Sequence, residues 1–343
     1  MRLSTRISYG DGFLAAVEQI VRMEERGLDV VWVAEAYGHD AVSRLGYLAA
    51  RTTRVELASG ILPIYSRTPA LLAQTAAGLD ELSNGRAILG LGASGPQVIE
   101  GWHGVPYEKP VQRTREIIEI CRMVWRREEV RYEGQVLSLP LPAERGTGLG
   151  KPLKILTHPV RSRIPIYLAS MGGRSVELTA ELAEGWLPIF FVPEKADDVW
   201  GAALRRGFAR RSEDLGRLEI AAGGALAIGE GLEHLRDLQR PHLALYIGGM
   251  GAREKNFYND LARMYGYERE AAEIQDLYLS GQKKEAAAAV PAELLEGLSL
   301  IGPEGYVRDR IAAFQAAGVT LLDVTPIGPD PLGDVARVKD WIS

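Results

Sequence analysis

The chain has 343 residues, 46% hydrophobic and 25% charged, enough to bury a sizeable core as one large domain or two ordinary ones. With 40 basic residues against 45 acidic ones, the formal net charge of -5 offers no footprint for nucleic acid or an anionic membrane, so neither is expected as a partner. No apolar run approaches the roughly 20 residues of a membrane span, and the N-terminus lacks a signal-peptide pattern; a cytoplasmic protein is expected.

In chain order, apolar runs of strand length alternate with amphipathic helical stretches, the pattern of a parallel sheet covered by helices. The strands are predicted at Leu3–Tyr9, Asp29–Ala34, Val55–Ile61, Ala87–Gly92, Ile164–Ala169, Trp186–Phe191, Leu218–Ile228 and Leu321–Pro326. The helices between them are predicted at Gly12–Arg26, Ala41–Arg51, Pro69–Leu82, Gln112–Arg127, Ser175–Ala183, Lys195–Arg211 and Glu304–Ala317. Gly27, Gly185 and Gly318 follow helix ends, where a left-handed cap is expected. Eight strand candidates point to a closed α/β barrel, a (β/α)8 TIM barrel. The rival doubly wound sheet lacks its dinucleotide fingerprint, since no G-x-G-x-x-G lies between the first strand and the first helix.

Two stretches interrupt the alternation. Residues 128–163 are rich in Gly and Pro and read as an excursion over one face of the barrel, an insertion at its C-terminal face, of a length that is usually functional. Residues 241–291 read as a helical insertion before the last strand, with a glycine-rich start. No internal repeat appears beyond the β/α alternation, so residues 1–343 are expected to form one domain. The single cysteine, Cys121, excludes an internal disulfide; its helical spacing in "EIIEICRMVW" marks a buried structural thiol.

In such barrels chemistry sits in the loops after the strands. Glu35 ends the second strand and is either a salt-bridged carboxylate of the barrel mouth or a catalytic or ligand-binding acid. After the fourth strand, "GLGASGP" lets the backbone of Gly92, Ala93, Ser94 and Gly95 approach a flat ligand. After the fifth, "ASMGGRSVEL" sets Ser170, Met171, Gly172, Gly173 and Arg174 at a helix N-terminus, where free N–H groups, the dipole and an arginine favour phosphate; the alternative is a glycine turn with a serine cap. Trp102 and His103, adjacent in one loop, and His158 in another are candidate substrate-pocket residues, with loop packing as the other reading. His234 and His242 are isolated in the sequence and are given no site role. No histidine spacing suits a metal, and none is expected.

Taken together, "GLDVVWVAEAYGHDA", "VELASGILPIYSRTPALLAQTAAGLDELSNGRAILGLGASGP", "YEGQVLSLP" and "IPIYLASMGGRSVELTAELAEGWLP" resemble the bacterial-luciferase-like family in order and spacing, over nearly the whole chain. Within it they resemble the branch that uses the deazaflavin coenzyme F420. The segment "YIGGMGAREKNFYNDLARMYGY" resembles one subfamily of F420-dependent oxidoreductases, close in pattern to methylene-tetrahydromethanopterin reductase.

The resemblance implies a β/α barrel, commonly a homodimer, with the cofactor across its C-terminal mouth. It implies a non-prolyl cis peptide at Gly60-Ile61, next to Ser59, pressing on the cofactor's central ring. The loops Gly92–Gly95 and Met171–Arg174, with Ser170 beside the latter, would then hold the cofactor tail and its phosphate, Ser59 would join Gly60-Ile61 in binding the cofactor, and Glu35 matches the acidic position near the ring. Arg67, Arg174 and the run Arg161 to Arg163 would suit the oligoglutamate tail of F420. Relatives that oxidise sugar phosphates carry an Asp-His pair after the second strand and an acid after the strand-four glycines; here stand Glu35-Ala36 and Gly95. That departure favours reduction of an unsaturated or iminium-like small-molecule substrate. An FMN-dependent monooxygenase and a non-catalytic cofactor-binding relative remain the alternatives. An aldolase-type barrel is disfavoured, because none of the predicted strands ends in lysine.

Overall fold

The structure is a computed structural model that describes residues 1–7 and 9–343. Parallel strands form a closed ring: β1 (Arg2–Ile7), β2 (Val30–Val33), β3 (Glu56–Ser59), β4 (Ala87–Gly92), β5 (Ile166–Ala169), β6 (Gly185–Trp186), β7 (Glu219–Ile228) and β8 (Leu321–Pro326). Each pairs with the next, β6 meets β7 at Glu219 and Ile220, and β8 closes on β1. All eight predicted strands are ring members. The predicted strand Leu3–Tyr9 includes Ser8, which lies outside the described residues.

The helices α1 (Phe13–Glu24), α2 (Ala41–Arg51), α3 (Pro69–Leu82), α4 (Pro110–Trp125), α5 (Gly173–Leu182), α6 (Ala202–Phe208), α7 (Glu304–Ala316) and α8 (Pro331–Ile342) cover the ring. Their starts follow from local chemistry: Asp40 caps α2 by accepting from the Ser43 N–H, and Thr68 caps α3 by accepting from Leu71, with Pro69 at the first turn. Strand β2, "VVWV", is buried throughout because both of its faces are covered. Val31 and Val33 join the large core under the helices, whereas Val30 and Trp32 join Ala58, Ile88, Tyr167, Ala221 and Leu321 inside the barrel.

Gly27 and Gly318 adopt the expected left-handed conformation, with φ of 90° and 93°. Gly185 does not; it lies in β6, where a Cβ would stand 2.1 Å from the Tyr167 ring. A side chain there has no room, so this glycine serves close packing rather than a cap. The predicted strand Trp186–Phe191 stops at Trp186, and Phe190 turns to φ 51°. A further short strand, Ser299–Gly302, pairs in parallel with the C-terminal half of β7 and was not expected. Cys121 is buried, and burial pushes its thiol up to about 12, as befits a packing residue.

The first excursion departs from expectation more sharply. Its hairpin, Tyr132–Glu133 with Ser138–Leu139, is fastened to α4 by the buried Glu116 carboxylate. That carboxylate accepts N–H bonds from Gln135 at 2.7 Å and Leu137 at 2.7 Å, and from Val136 at 3.1 Å. Further on, Arg161 donates to the buried Asp80 and to the Ala87 carbonyl at the start of β4. The excursion therefore runs to the N-terminal end of the barrel rather than over the mouth.

Candidate functional site

At the C-terminal ends of the strands lies a cleft of about 1520 Å³. Single-ligand sites usually enclose roughly 300–1,000 Å³, so this one has space for two ligands side by side. The loops after β2, β3, β4 and β5 form one side of it, and residues between 238 and 258, at and just before the start of the second excursion, form the other.

After β3 the Gly60-Ile61 peptide bond is cis, and the chain continues into Leu62–Pro63, which pairs with the end of β4. Gly60 donates its N–H to Val33 O at 2.8 Å, and a Cβ on it would stand 3.2 Å from Trp32 Cβ. Ile61 lies against Gly92, where a Cβ would meet its side chain at 3.0 Å. Both residues line the cleft, as does Trp32, whose buried Nε1 has no hydrogen-bond partner among the described residues. Ser59 does not reach the cleft. It faces the neighbouring strand, where its Oγ donates to Gly90 O at 2.8 Å and accepts from Gly90 N at 2.9 Å.

After β4, Gly92, Ala93, Ser94 and Gly95 all line the cleft, and the amides of Ala93, Ser94 and Gly95 have no acceptor among the described residues. After β5, Ser170, Met171, Gly172, Gly173 and Arg174 line it too. Two indoles fix this loop: Trp186 Nε1 donates to Ser170 O at 3.0 Å, and Trp200 Nε1 donates to Met171 O at 2.9 Å. With those carbonyls engaged from behind, the free amides of Gly172, Gly173 and Arg174 stand at the start of α5, which has no side-chain cap. Arg174 is exposed and makes no ion pair among the described residues. Free N–H groups, a helix dipole and an unpaired guanidinium are a setting for a phosphate.

Glu35 lines the cleft, but its carboxylate is engaged. Arg67 Nη1 and Nη2 donate to it at 2.6 and 3.0 Å, and Ala41 N at the start of α2 donates at 2.8 Å. Of the two readings of this residue, the geometry matches the salt-bridged barrel-mouth carboxylate. The expected basic patch does not assemble: Arg67 is committed to Glu35, Arg161 to Asp80, and Arg163 to Asp214. Only Arg174 of that group faces the cleft.

Trp102 lines the mouth, 66% exposed, with its ring centroid 6.5 Å from that of Tyr37. His103 lies behind it, outside the cleft, its backbone N–H bonded to Val98 O. His158 is also outside, carried away with the first excursion, and its ring meets Arg127 Nη1 at 2.5 Å. His242 is the converse case: isolated in the sequence and given no site role, it stands in the cleft wall. The helical spacing of His242 and Tyr246, just before the glycines of "YIGGMG", was the available signal for one shared face. Among the described residues no group of His, Cys, Asp or Glu is placed to hold a metal ion, and no helix is long and apolar enough to cross a membrane.

The profile of the luciferase-like monooxygenase family matches residues 1–321. A Mycobacterium tuberculosis protein, provisionally named a coenzyme F420-dependent oxidoreductase, is 43% identical over 324 residues, covering 94% of this chain and 93% of its own. A 5,10-methylenetetrahydromethanopterin reductase of Archaeoglobus fulgidus is 29% identical over 310 residues, covering 90% and 88%. Among solved structures, the coenzyme F420-dependent tetrahydromethanopterin reductase of Methanopyrus kandleri superposes with a TM-score of 0.82 at 22% identity, covering 99% of this chain and 98% of that one. The barrel, the order of its mouth loops and the extent of the match agree: the chain belongs to the luciferase-like monooxygenase family.

Proposed function

We propose that the protein is a coenzyme F420-dependent oxidoreductase that moves a hydride between the deazaflavin and a small organic substrate, in the reducing direction. The observation that carries this reading is the convergence on one cleft of Gly60-Ile61, the open amides of the β4 loop and the uncapped helix start bearing Arg174. The relative named for F420 supports the cofactor assignment. A flat ring fits against Ile61 with Trp32 beneath, and an anionic tail fits the amides of Gly172–Arg174. When bound, the deazaflavin supplies hydride chemistry at its ring.

The chain's own residues bind, orient and exclude water. The open amides of Ala93 to Gly95 would stabilise negative charge developing on the bound ring, as an oxyanion hole does. Glu35 and Arg67 brace the α2 start and the β3 loop against each other, so the ring support is held from two sides. Neither group is free to take a proton from an alcohol, which agrees with reduction as the working direction.

The test is a titration of the purified protein with F420 and, separately, with FMN, followed by absorbance and fluorescence. F420 is expected to bind and Arg174→Ala to weaken it by roughly tenfold, the loss of one charge-assisted contact. Tight FMN binding without F420 binding replaces this reading with the monooxygenase. We also read the protein as a homodimer, because Leu14, Tyr47 and Leu71 are exposed on the first three helices. Light scattering at micromolar concentration that gives a monomer mass removes that part.

A further inference from the structure

The cleft wall opposite the glycine loops carries a second set of groups, to which the proposed function assigns no role. Arg6 on β1 pairs in register with Trp32, so its side chain enters the barrel mouth in the layer that lies against Gly60. One of its nitrogens pairs with Asp323, a buried carboxylate that also accepts from Ser4 Oγ at 3.1 Å. The Arg6 side chain is nevertheless 55% exposed and opens into the cleft. Beyond it stands a box of rings. Tyr246 lies 4.5 Å from His242, 4.7 Å from Tyr258 and 5.4 Å from Phe190, centroid to centroid. Phe190 holds its place with φ 51°, rare for an aromatic residue, and its carbonyl accepts from Tyr265 Oη at 2.7 Å.

We infer that this cluster is the subsite for the second substrate, a flat, uncharged, conjugated carbonyl compound whose skeleton lies against Phe190, Tyr246 and Tyr258 and whose oxygen accepts from Arg6. The inference rests on the oxidoreductase reading and names the substrate class for it. Three features select that class. Arg6 and Asp323 cancel in net charge, so a carboxylate ligand gains little from the guanidinium and faces Asp323 behind it. An iminium cation would gain as little from that neutral pair and would meet Lys255, which also lines the cleft. The remaining polar groups are neutral: burial pushes the phenol of Tyr258 up to about 12 and that of Tyr246 up as well, while burial and then Arg6 press the His242 imidazole down.

A carbonyl oxygen at Arg6 also gains as reaction proceeds. When a hydride adds to the β carbon of an enone, the π electrons move to that oxygen, and one proton taken up from water completes the saturated ketone. The guanidinium stands where the negative charge collects, so it favours the transition state over the ground state.

The experiment is calorimetric titration, with and without oxidised F420, of three probes of one shape: 4-phenylbut-3-en-2-one, trans-cinnamate and trans-β-methylstyrene. The enone is expected to bind at least tenfold tighter than either companion. Phe190→Ala is expected to weaken the enone at least tenfold, and so is the pair Arg6→Gln with Asp323→Asn, which removes the ion pair without stranding a buried charge. Folding of each variant is checked by its thermal transition, and the Phe190 variant keeps the test alive where the double variant fails to fold. Absence of saturable enone binding in both forms, preference for cinnamate, or unchanged affinity in the folded variants overturns the inference. Because F420 affinity is measured on the same samples, loss of the cofactor reading and loss of this subsite give separate signatures.

Discussion

The two excursions from the β/α alternation invite the same description from sequence, long and irregular segments leaving a barrel, yet they end up at different places. Residues 128–163 are drawn to the flank and base of the barrel by two buried acids, Glu116 and Asp80, and none of them lines the cleft. Residues 241–291 leave from the strand ends, and their first part builds the cleft wall with His242, Tyr246 and Tyr258. Length and composition do not say which excursion is functional. Burial of a single carboxylate with several backbone N–H groups outweighs both, because such an anchor fixes where the loop must lie.

That contrast can be broken by substitution. The largest expected effect belongs to the second excursion: Tyr258→Ala opens the ring box, and kcat/KM for the reducing reaction should fall roughly ten- to hundredfold with F420 affinity within a factor of two. Equal losses in both quantities would mean that the wall serves the cofactor instead. Gly60→Val comes next. Its branched side chain must crowd Trp32, so cofactor affinity should drop roughly tenfold while the cost in stability stays near about 1 kcal/mol; unchanged affinity, read by fluorescence titration, removes Gly60 from the site.

For the first excursion the effects fall on stability. Glu116→Ala leaves the amides of Gln135, Val136 and Leu137 without their acceptor and should cost about 2–3 kcal/mol by denaturant unfolding, with turnover per folded molecule unchanged. A matching loss of turnover would tie this excursion to the cleft after all. The smallest effect is expected for His158→Ala, an exposed site whose contact is Arg127; stability should shift by less than about 0.5 kcal/mol and cofactor affinity not at all.

The Glu24 carboxylate offers a control at the base of the barrel. Burial alone would raise its pKa, but N–H bonds from Val55, Arg54 and Thr53 outweigh that and hold it below the usual carboxylate range. Its folded value is thus depressed, so its contribution to stability is present above the ordinary carboxylate pKa and is lost as pH falls through the folded one. Glu24→Gln should flatten the acid side of the stability profile there without moving the activity profile.

Much of the architecture was legible in the residues. Alternating strand-length and helix-length runs predict all eight ring strands, because a strand covered on both faces must be apolar throughout, as in "VVWV". The mouth loops were legible as well, since glycines at Gly92, Gly95, Gly172 and Gly173 leave the backbone open to a ligand. The short strand Ser299–Gly302 was not, because four residues carry too little periodicity and its pairing with β7 is set by the closed ring. Ser59 was placed in the site by its nearness to Gly60, but a side chain one residue along a strand points to the opposite face, and here that face meets Gly90.

The sequence by itself determined the barrel and the positions of its mouth loops, because these depend on local periodicity and on which residues tolerate a given backbone; the cis bond at Gly60-Ile61 was what the family resemblance implied. Only the tertiary structure decided that Glu35 would be consumed by Arg67, that Arg161 would turn to the base, and that Arg6, Asp323 and His242 would meet across more than 200 positions of sequence at one cleft. The physical reason is that charge pairing and ring packing are set by distance in space. That distance is fixed only once the ring has closed between β1 and β8.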